Sequence, residues 1–149
     1  MATGLDVIVV DDDPEVGEVV SAVINQFYTW GEVLVFMDAD EALDYCQKKE
    51  VGVAIFILDV FIGSKTGFSF LDSIADKFPT ANEDTVIITG HASDDIVNMC
   101  VASDITYLLE KPIRAYALQL AVRAIVTKYL KFAKRLLDDP VLAGNVASF

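Results

Sequence analysis

The sequence predicts an α/β fold in which one parallel sheet carries helices on both faces. Its 149 residues, of which 54% are hydrophobic, suit a single domain. Short β-branched runs alternate with amphipathic helical patterns along the chain, and this alternation occurs five times. Consecutive β-α units of this kind are typical of a parallel sheet, because each helix crosses over to start the next strand at the same edge.

Three strands and two helices are predicted in the first half of the chain. Leu5–Val10 is a β-branched run that ends in three aspartates, and Pro14 opens a helix at a position where its missing N–H is not needed. Val33–Phe36 forms the second strand. Asp38–Lys49 follows as a helix whose first residue can serve as the N-cap. Val53–Leu58 is apolar throughout, which favours a central strand covered on both faces.

Two further strands and three helices are predicted in the second half. In chain order we expect the loop Ile62–Thr66, the helix Phe68–Phe78, the strand Thr85–Thr89, the helix Ser93–Ala102, the strand Ile105–Leu109 and a long helix from Pro112 to about Asp138. We divide the chain into a domain at residues 4–127, an extension of the last helix at 128–139 and a flexible tail at 140–149. The tail begins there because Pro140 and Gly144 disfavour further helix.

The last helix carries a row of apolar residues at heptad spacing. They recur at intervals of four and three residues and are Leu118, Val122, Ile125, Tyr129, Phe132 and Leu136. Two interpretations stay open. The first half of the row can pack on the domain, or the row can form a seam for a homodimer or an effector. In the second case Ala117, Ala121 and Ala124 face the sheet instead.

The composition argues against several classes of function. The formal net charge of −12 makes the chain a poor nucleic-acid binder, because phosphate contacts need Lys and Arg. Cys46 and Cys100 form no CxxC pair, and a single histidine cannot complete a zinc ligand set with them. No apolar run reaches the roughly 18–20 residues of a membrane span. The N-terminus also lacks the basic region of a signal peptide, so we expect a cytoplasmic protein without membrane insertion.

Chemically reactive residues lie at the ends of four of the five predicted strands. Asp11 and Asp12 follow the first strand, Asp59 follows the third, Thr89 ends the fourth and Lys111 lies just beyond the fifth. The carboxyl ends of parallel strands meet at one edge of a sheet, where ligands bind. Each residue alone has an ordinary interpretation as a turn, cap or loop residue. Their joint placement predicts one crevice that contains all five.

This crevice suits a divalent cation and a phosphoryl group. Three carboxylates within about 5 Å repel one another by a few kcal/mol per pair, and a hard cation removes that conflict. Mg²⁺ prefers oxygen ligands and completes its octahedron with waters and phosphate oxygens. Lys111 adds a positive charge, Thr89 adds a hydroxyl, and an aspartate nucleophile can form an aspartyl phosphate.

Four motifs resemble those of the response regulator receiver family. They are Val-Val-Asp11-Asp12, Ile-Leu-Asp59 with Gly67 eight residues on, Ile-Ile-Thr89-Gly90 and Glu110-Lys111-Pro112. The resemblance covers about Leu5 to Thr127. It implies a doubly wound, flavodoxin-like five-stranded sheet of order 2-1-3-4-5, beyond which the last helix extends. It also implies Mg²⁺ as cofactor, a sensor histidine kinase or phosphotransfer protein as phosphodonor, and no enzymatic activity except on its own phosphoryl group.

The resemblance assigns a role to each residue of the crevice. Asp59 resembles the phosphoacceptor, and it is also a metal ligand in the family. Thr89 resembles the residue that moves to hydrogen-bond the phosphoryl group, and Lys111 resembles its ion-pair partner. Asp12 resembles the direct Mg²⁺ ligand, with Asp11 as its partner, often through water.

Other positions carry expectations of their own or depart from the family pattern. The backbone carbonyl of Phe61 should supply a further metal ligand, and the side chains of Phe61 and His91 occupy positions that tune dephosphorylation. Gly63 stands where the family usually has proline. Leu108 stands where the family has its switch aromatic, and Tyr107 cannot replace it because neighbouring strand residues face opposite sides.

Two local features follow from the same resemblance. Asp13 falls at a variable position and is expected to be exposed. The Lys111–Pro112 bond is often cis in this family, which costs only about 0.5–1 kcal/mol for an X-Pro bond.

Two other functions share parts of the pattern. A Mg²⁺-dependent phosphohydrolase also uses an aspartyl nucleophile, but it usually has a second carboxylate two residues on, where this chain has Phe61. A flavodoxin-like FMN binder needs Ser, Thr and Gly after the first strand, where three aspartates would repel phosphate. Turnover of a small phosphate monoester, or bound FMN, would favour these alternatives.

Overall fold

The computed structural model describes residues 4–147 and contains a five-stranded parallel sheet. In chain order the strands are β1 (Val7–Val10), β2 (Val33–Phe36), β3 (Ile55–Asp59), β4 (Phe61–Ile62), β5 (Lys65–Thr66), β6 (Thr85–Thr89) and β7 (Tyr107–Glu110). β4 and β5 form a separate hairpin, and the other strands lie in the order β2-β1-β3-β6-β7. Without the hairpin strands this is the predicted order 2-1-3-4-5, so the doubly wound fold is confirmed.

Helices cover both faces of the sheet and extend beyond it. They are α1 (Pro14–Asn25), α2 (Ala39–Lys48), α3 (Gly67–Ile74), α4 (Asp94–Ala102), α5 (Ala115–Asp138) and α6 (Pro140–Ala147), with a 3₁₀ turn at Asn82–Asp84. None of these helices is both long and apolar enough to span a lipid bilayer.

The sheet separates two apolar layers, because neighbouring strand residues point to opposite faces. Ile8 and Val10 pack with α2, α3 and α4 on one face, whereas Val7 and Val9 pack with α1 and α5 on the other. All residues of β3 are buried, as predicted for a central strand. This two-sided core fixes the strand ends and therefore positions the residues that follow them.

Side-chain caps determine where the helices start. Asp38 caps α2 as predicted, because its carboxylate accepts the N–H of Asp40 at 2.8 Å. Asp13 is exposed as expected, and it also caps α1 by accepting the N–H of Glu15 at 3.0 Å. Each cap satisfies a backbone N–H that has no partner inside its helix.

The segment predicted as the loop Ile62–Thr66 is part of a tight β-hairpin instead. β4 and β5 pair in an antiparallel register, and Gly63 and Ser64 turn the chain between them. Gly63 has a φ of 61°. A left-handed glycine at the first position of a two-residue loop is typical of a type II′ turn, which matches the twist of the two strands.

Two helices, α3 and α5, have a boundary that differs from the prediction by more than one residue. α3 covers Gly67–Ile74 and continues towards Phe78 only as turns. α5 begins at Ala115 and not at Pro112, because Arg114 has extended backbone angles, with φ −85° and ψ 128°. The residues between β7 and α5 therefore form a connection and not a first helical turn.

The apolar row of α5 divides into two parts. Leu118, Val122 and Ile125 are buried in the layer between α5 and the sheet. Tyr129 packs against the same layer, whereas Phe132 is 44% exposed. The first half of the row therefore packs on the domain, and these three buried residues cannot form a dimer or effector seam.

The predicted tail at residues 140–149 is a helix over Pro140–Ala147. Pro140 occupies the first helical position, where proline is favourable. The Asp139 carboxylate accepts the N–H groups of Val141 and Leu142, each at 3.1 Å, and so caps the new helix. Pro140 thus ends α5 and starts α6. The last two residues of the predicted tail lie outside the described residues.

Candidate functional site

The carboxyl edge of the sheet brings together the residues that follow or end the strands. Asp11 follows β1, Asp59 is the last residue of β3 and Lys111 follows β7. One carboxylate oxygen from each of Asp11, Asp12 and Asp59 lies within 4.8 Å of the others. Thr89 ends β6 at the same edge, and its carbonyl accepts the N–H of Lys111 at 2.8 Å. All five predicted residues therefore lie at one edge.

The Lys111 ammonium group lies between two carboxylates. Its Nζ donates to Asp59 Oδ2 at 2.8 Å and lies 2.9 Å from Asp11 Oδ2. Asp11 is fully buried, Asp59 is 7% exposed and the lysine side chain is 22% exposed. Because little water reaches these groups, their attraction is stronger than that of a surface ion pair. Lys111 therefore holds both carboxylates against the end of the sheet.

Burial and charge shift the pKa values of this cluster. Burial raises the pKa of Asp11, and the charge of Asp59 adds to that effect, although the Asp13 N–H and Lys111 oppose it. Burial lowers the pKa of Lys111, but contact with the two carboxylates and their negative charge outweighs this effect, so the pKa of Lys111 is raised. The lysine therefore stays protonated. Its single positive charge is shared between two carboxylates and does not fully neutralise the buried Asp11.

The donor set fits a hard divalent cation. Asp11 Oδ1 accepts the N–H of Asp13 at 2.8 Å. Asp11 Oδ2 is buried and makes no hydrogen bond to any described residue, since its contact with Lys111 is an ion-pair distance without hydrogen-bond geometry. A buried oxygen without a hydrogen bond, beside two further carboxylates, offers the oxygen ligands that Mg²⁺ prefers. Asp11, Asp12 and Asp59 would hold such an ion.

The hairpin after β3 contacts the exposed carboxylate of this set. Asp12 Oδ2 accepts the N–H of Gly63 at 3.2 Å. The proline usual in the family could neither donate this hydrogen bond nor adopt a φ of 61°. Gly63 therefore belongs to a different loop geometry, in which a hairpin amide orients Asp12.

A close approach between two backbone segments explains Gly67. A Cβ atom at this position would lie 2.5 Å from the carbonyl oxygen of Asp59. The N–H of Gly67 also donates to the carbonyl of Val60 at 3.0 Å, which draws the start of α3 against the end of β3. Any side chain at Gly67 would push α3 away from Asp59.

The hydroxyl of Thr89 is engaged with the loop between β6 and α4. Thr89 Oγ1 donates to the carbonyl of His91 and accepts its N–H, both at 3.2 Å. The next N–H, that of Ala92, donates to Glu110 Oε2 at 2.8 Å. Glu110 therefore ties the loop to the end of β7. This contact is not predicted from the sequence, where the only sign of it is an acidic residue directly before Lys111.

Phe61 and His91 lie beside the site as their positions in the sequence require. The N–H of Phe61 donates to Asp59 Oδ1 at 3.4 Å, and its side chain is 64% exposed. His91 is exposed, and its backbone groups hold the hydroxyl of Thr89. The role of the Phe61 carbonyl as a metal ligand, and the effect of both side chains on dephosphorylation, stay predictions.

Leu108 and Tyr107 point to opposite faces of the sheet, as predicted. Leu108 packs against the layer that contains α2, α3 and α4, whereas Tyr107 packs against the layer that contains α1 and α5. Both residues belong to β7, where Leu108 lies three and Tyr107 four residues before Lys111. Tyr107 therefore cannot act on the side where the family places its switch aromatic. The Lys111–Pro112 peptide bond is cis, as expected.

Comparison with known proteins agrees with the fold. A family model described as response regulator receiver domain matches residues 7–123. The chemotaxis protein CheY4 of Vibrio cholerae is 23% identical, with a TM-score of 0.70 over 83% of this chain and 99% of that chain. A search of curated proteins finds no match.

Two further solved structures have the same fold at lower identity. A response regulator receiver domain protein from Clostridium thermocellum is 20% identical, with a TM-score of 0.73 over 86% of this chain and 98% of that chain. A CheY-like receiver domain protein from Methanospirillum hungatei JF-1 is 17% identical, with a TM-score of 0.72 over 87% of this chain and 98% of that chain. These likenesses establish the fold, and the family model covers most of the chain, so the chain belongs to the response regulator receiver domain family of two-component signalling.

Proposed function

We propose that the chain accepts a phosphoryl group on Asp59 with the help of Mg²⁺ and passes the signal on through protein–protein contact. In this proposal Asp11, Asp12, Asp59 and the backbone carbonyl of Phe61 hold the cation. The observation that carries the proposal is the position of Lys111, whose Nζ lies 2.8 Å from Asp59 Oδ2 and 2.9 Å from Asp11 Oδ2. A fixed ammonium group there is suited to a phosphoryl oxygen, which would lie beside the Asp59 carboxylate after transfer.

The chain's own groups are arranged for transfer from a phosphohistidine. Asp59 Oδ2 is held by Lys111. Among the described residues, Oδ1 receives only the long hydrogen bond of 3.4 Å from the Phe61 N–H, so it keeps a lone pair for attack. As the new P–O bond forms, the P–N bond of the donor breaks and the imidazole keeps the electron pair. Bound Mg²⁺ would neutralise the carboxylates and the phosphoryl oxygens during this step.

The switch would begin at Thr89. When its hydroxyl turns to a phosphoryl oxygen, it gives up both contacts with the backbone of His91. Because Glu110 holds the next amide of the same loop, the loop must either break that hydrogen bond or move with the end of β7. Leu108 replaces the usual aromatic, so we propose that the Ala92–Glu110 hydrogen bond takes part in the coupling.

The proposed phosphodonor is a sensor histidine kinase or a phosphotransfer protein. The chain itself would catalyse only its own phosphorylation and dephosphorylation. We place the reaction in the cytoplasm, since Cys46 and Cys100 are buried free thiols of the kind that a reducing compartment maintains.

Incubation with acetyl phosphate and Mg²⁺, followed by intact mass measurement, tests this proposal. The expected product is an adduct of about 80 Da, the mass of one phosphoryl group. The adduct should be absent from Asp59→Asn and from samples that contain EDTA. Asp72→Asn, which neutralises an exposed aspartate on α3, is the matched control and should give the wild-type yield. No adduct on the wild type at saturating donor would refute the proposal.

A further inference from the structure

The end of α5 lies outside the two apolar layers of the domain. Among the described residues of α5, Tyr129 is the last that packs against either layer. Each of the next residues, 130–137, is either basic or apolar. Asp138 and Asp139 follow, and then α6, which contains no charged residue. We call residues 130–147 the arm.

The basic and the apolar residues of the arm lie on opposite faces of the helix. At about 100° per residue, Lys131, Lys134 and Arg135 fall within an arc of about 100°. The remaining residues of 130–137 fall within an arc of about 160° on the other side, and they are Leu130, Phe132, Ala133, Leu136 and Leu137. Three of them, Leu130, Phe132 and Leu137, are 51%, 44% and 85% exposed, respectively. The arm is therefore an amphipathic helix whose apolar face is largely uncovered.

The charge of the arm contrasts with that of the rest of the chain. Residues 130–137 contain three of the 11 basic residues of the chain and none of its 23 acidic residues. Lys131, Lys134 and Arg135 are exposed, and none of them makes an ion pair with a described residue. An anionic partner is therefore attracted to the arm, whereas the acidic body of the molecule repels it.

We propose that the arm binds to the surface of a membrane that contains anionic lipids. The helix would lie in the plane of the interface, with Phe132 and Leu137 at the boundary of the acyl chains. The long side chains of Lys131, Lys134 and Arg135 would reach the lipid phosphate groups. α6 would add apolar area, because its Val141 is 74% exposed. A helix in this position rests on the bilayer and does not cross it.

The position of the two faces favours a lipid surface over an acidic protein. They lie on opposite sides of a helix that is about 10 Å thick, so a flat protein surface can contact only one of them. A protein on the basic side leaves Phe132 and Leu137 in water, and a protein on the apolar side leaves Lys131 and Arg135 without an anion. The headgroup layer of a bilayer lies along both flanks of the helix, with acyl chains beneath it, and so satisfies both faces.

Co-sedimentation of the full chain with lipid vesicles tests the role of charge. The wild type should bind vesicles of one part phosphatidylglycerol to two parts phosphatidylcholine, and it should not bind phosphatidylcholine alone. High salt should weaken the binding. Lys134→Glu should weaken it by about tenfold or more, since each basic residue close to an anionic surface contributes about that factor.

Lys48→Glu is the matched control for this variant. It changes the net charge of the chain by the same amount, at a lysine of α2 whose side chain is 74% exposed. The binding should stay close to that of the wild type, because Lys48 lies outside the arm. A wild type that does not bind the mixed vesicles, or equal losses for the two variants, would refute the proposal.

A second comparison separates a lipid surface from an acidic macromolecule. Leu137→Gln keeps the charge of the arm and should weaken binding to the mixed vesicles several-fold, because apolar area is lost from the interface. It should not affect any binding to polyglutamate, which offers negative charge without an apolar layer. Leu120→Gln, at a leucine of α5 that is 71% exposed but lies outside the arm, should bind the vesicles as the wild type does. If Leu137→Gln binds the vesicles as tightly as the wild type and both bind polyglutamate, the arm recognises negative charge alone and the proposal is wrong.

Tryptophan fluorescence tests which part of α5 enters the interface. Trp30 is the only tryptophan of the chain, so Trp30→Phe provides a background without signal. In that background Leu137→Trp should shift its emission to the blue when the mixed vesicles are added. Tyr116→Trp, at an exposed position near the start of α5, should not shift, and a shift at Tyr116→Trp alone would overturn the proposal. Asp59→Asn should bind the vesicles as the wild type does, so this proposal and the phosphorylation of Asp59 can fail separately.

Discussion

The buried carboxylate of Asp11 dominates the electrostatics of the site at the scale of single residues. One of its oxygens is satisfied by a backbone N–H, and the other faces Lys111 and the neighbouring Asp59. Burial penalises its charge, and a single ammonium group must compensate two carboxylates. The site therefore has a deficit of positive charge, which explains both the tight hold on Lys111 and the fit to a divalent cation.

Lys111→Met should expose that deficit. Removal of the ammonium group leaves the buried Asp11 carboxylate beside Asp59 without a cation, which raises the pKa of Asp11 further. We expect the free energy of unfolding at neutral pH, measured with urea and without Mg²⁺, to fall by about 1–3 kcal/mol. Protonation relieves the repulsion, so the difference from the wild type should shrink as the pH falls towards the range in which aspartates titrate.

An exposed ion pair offers the control for this variant. Lys65 pairs with Asp40 on the surface, where both side chains are well solvated. Lys65→Met should therefore change the unfolding free energy by less than about 0.5 kcal/mol at any pH. A Lys111→Met deficit that is independent of pH would show that lost packing, and not charge, is the cause.

At the scale of secondary-structure elements, the turn of the hairpin between β3 and α3 depends on the φ angle of a single residue. Gly63 has a φ of 61°, and its N–H reaches Asp12. Gly63→Pro forces φ to about −65° and removes the donor, so it should lower the unfolding free energy by about 1–3 kcal/mol and weaken Mg²⁺ binding. Urea unfolding and a Mg²⁺ titration measure the two effects.

Gly90 supplies the comparison for this variant. A Cβ atom at Gly90 would meet no other atom within 4 Å, and its backbone is not left-handed. Gly90→Ala should therefore change the unfolding free energy by less than about 1 kcal/mol. If Gly63→Pro is equally mild, the hairpin can adopt the loop geometry usual in the family and does not require a left-handed residue at position 63.

The second half of α5 is anchored by a buried carboxylate at the other edge of the sheet. Asp84 is fully buried and accepts hydrogen bonds from Lys128 and the hydroxyl of Tyr129, and from Thr80 at 3.2 Å. Tyr129→Phe removes one donor and should lower the unfolding free energy by about 1–2 kcal/mol. Because Asp84 precedes β6, the yield of aspartyl phosphate should not change, and a reduced yield would contradict this separation of the two edges.

The elements that the sequence predicts best are those in which the pattern and the core agree. β2 and β6 lie at the predicted residues, and Asp38 caps α2 as predicted. Each of these elements is a short apolar segment bounded by polar residues, and only one placement buries its apolar side chains while leaving the polar residues at its ends. The convergence of Asp11 and Asp59 follows in turn from the parallel sheet. The hairpin and α6 are missed. The hairpin depends on the φ angle of Gly63, and α6 depends on the cap formed by Asp139. Neither feature changes the spacing of apolar residues, from which the elements are predicted.

At the scale of the whole molecule, buried ionic groups lie at both edges of the sheet. The carboxyl edge has more buried negative charge than positive charge, as a cation site requires. The amino edge is balanced, with Asp6 paired to Lys49 at 3.1 Å and Asp84 paired to Lys128. The paired charges at the amino edge stabilise the fold. The excess negative charge at the carboxyl edge is available to bind a cation or to respond to a phosphoryl group.

The two apolar layers also make the molecule sensitive to alkaline pH. Burial raises the pKa of the Cys46 thiol from 9.0 to about 11, and burial, with a contribution from Asp6, raises the pKa of Tyr28 from 10.0 to about 12. In each case the folded state resists loss of the proton, whereas the unfolded chain ionises at the ordinary pKa. The stability from each group is therefore complete below its unfolded pKa and is lost as the pH rises through its folded pKa.

The unfolding free energy should consequently fall between about pH 9 and pH 12, by on the order of 2–3 kcal/mol for each group. Urea unfolding at a series of alkaline pH values measures the fall. Cys46→Ala leaves a small cavity and lowers the stability at neutral pH, but it should remove the Cys46 contribution to the fall that begins near pH 9 and leave that of Cys100, whose pKa burial also raises. Tyr28→Phe should remove the Tyr28 contribution to the later part, at the cost of the hydrogen bond to the carbonyl of Leu5, and leave that of Tyr129, whose pKa burial also raises. If Cys46→Ala and the wild type lose stability in parallel over this range, a group other than the buried thiol controls the alkaline transition.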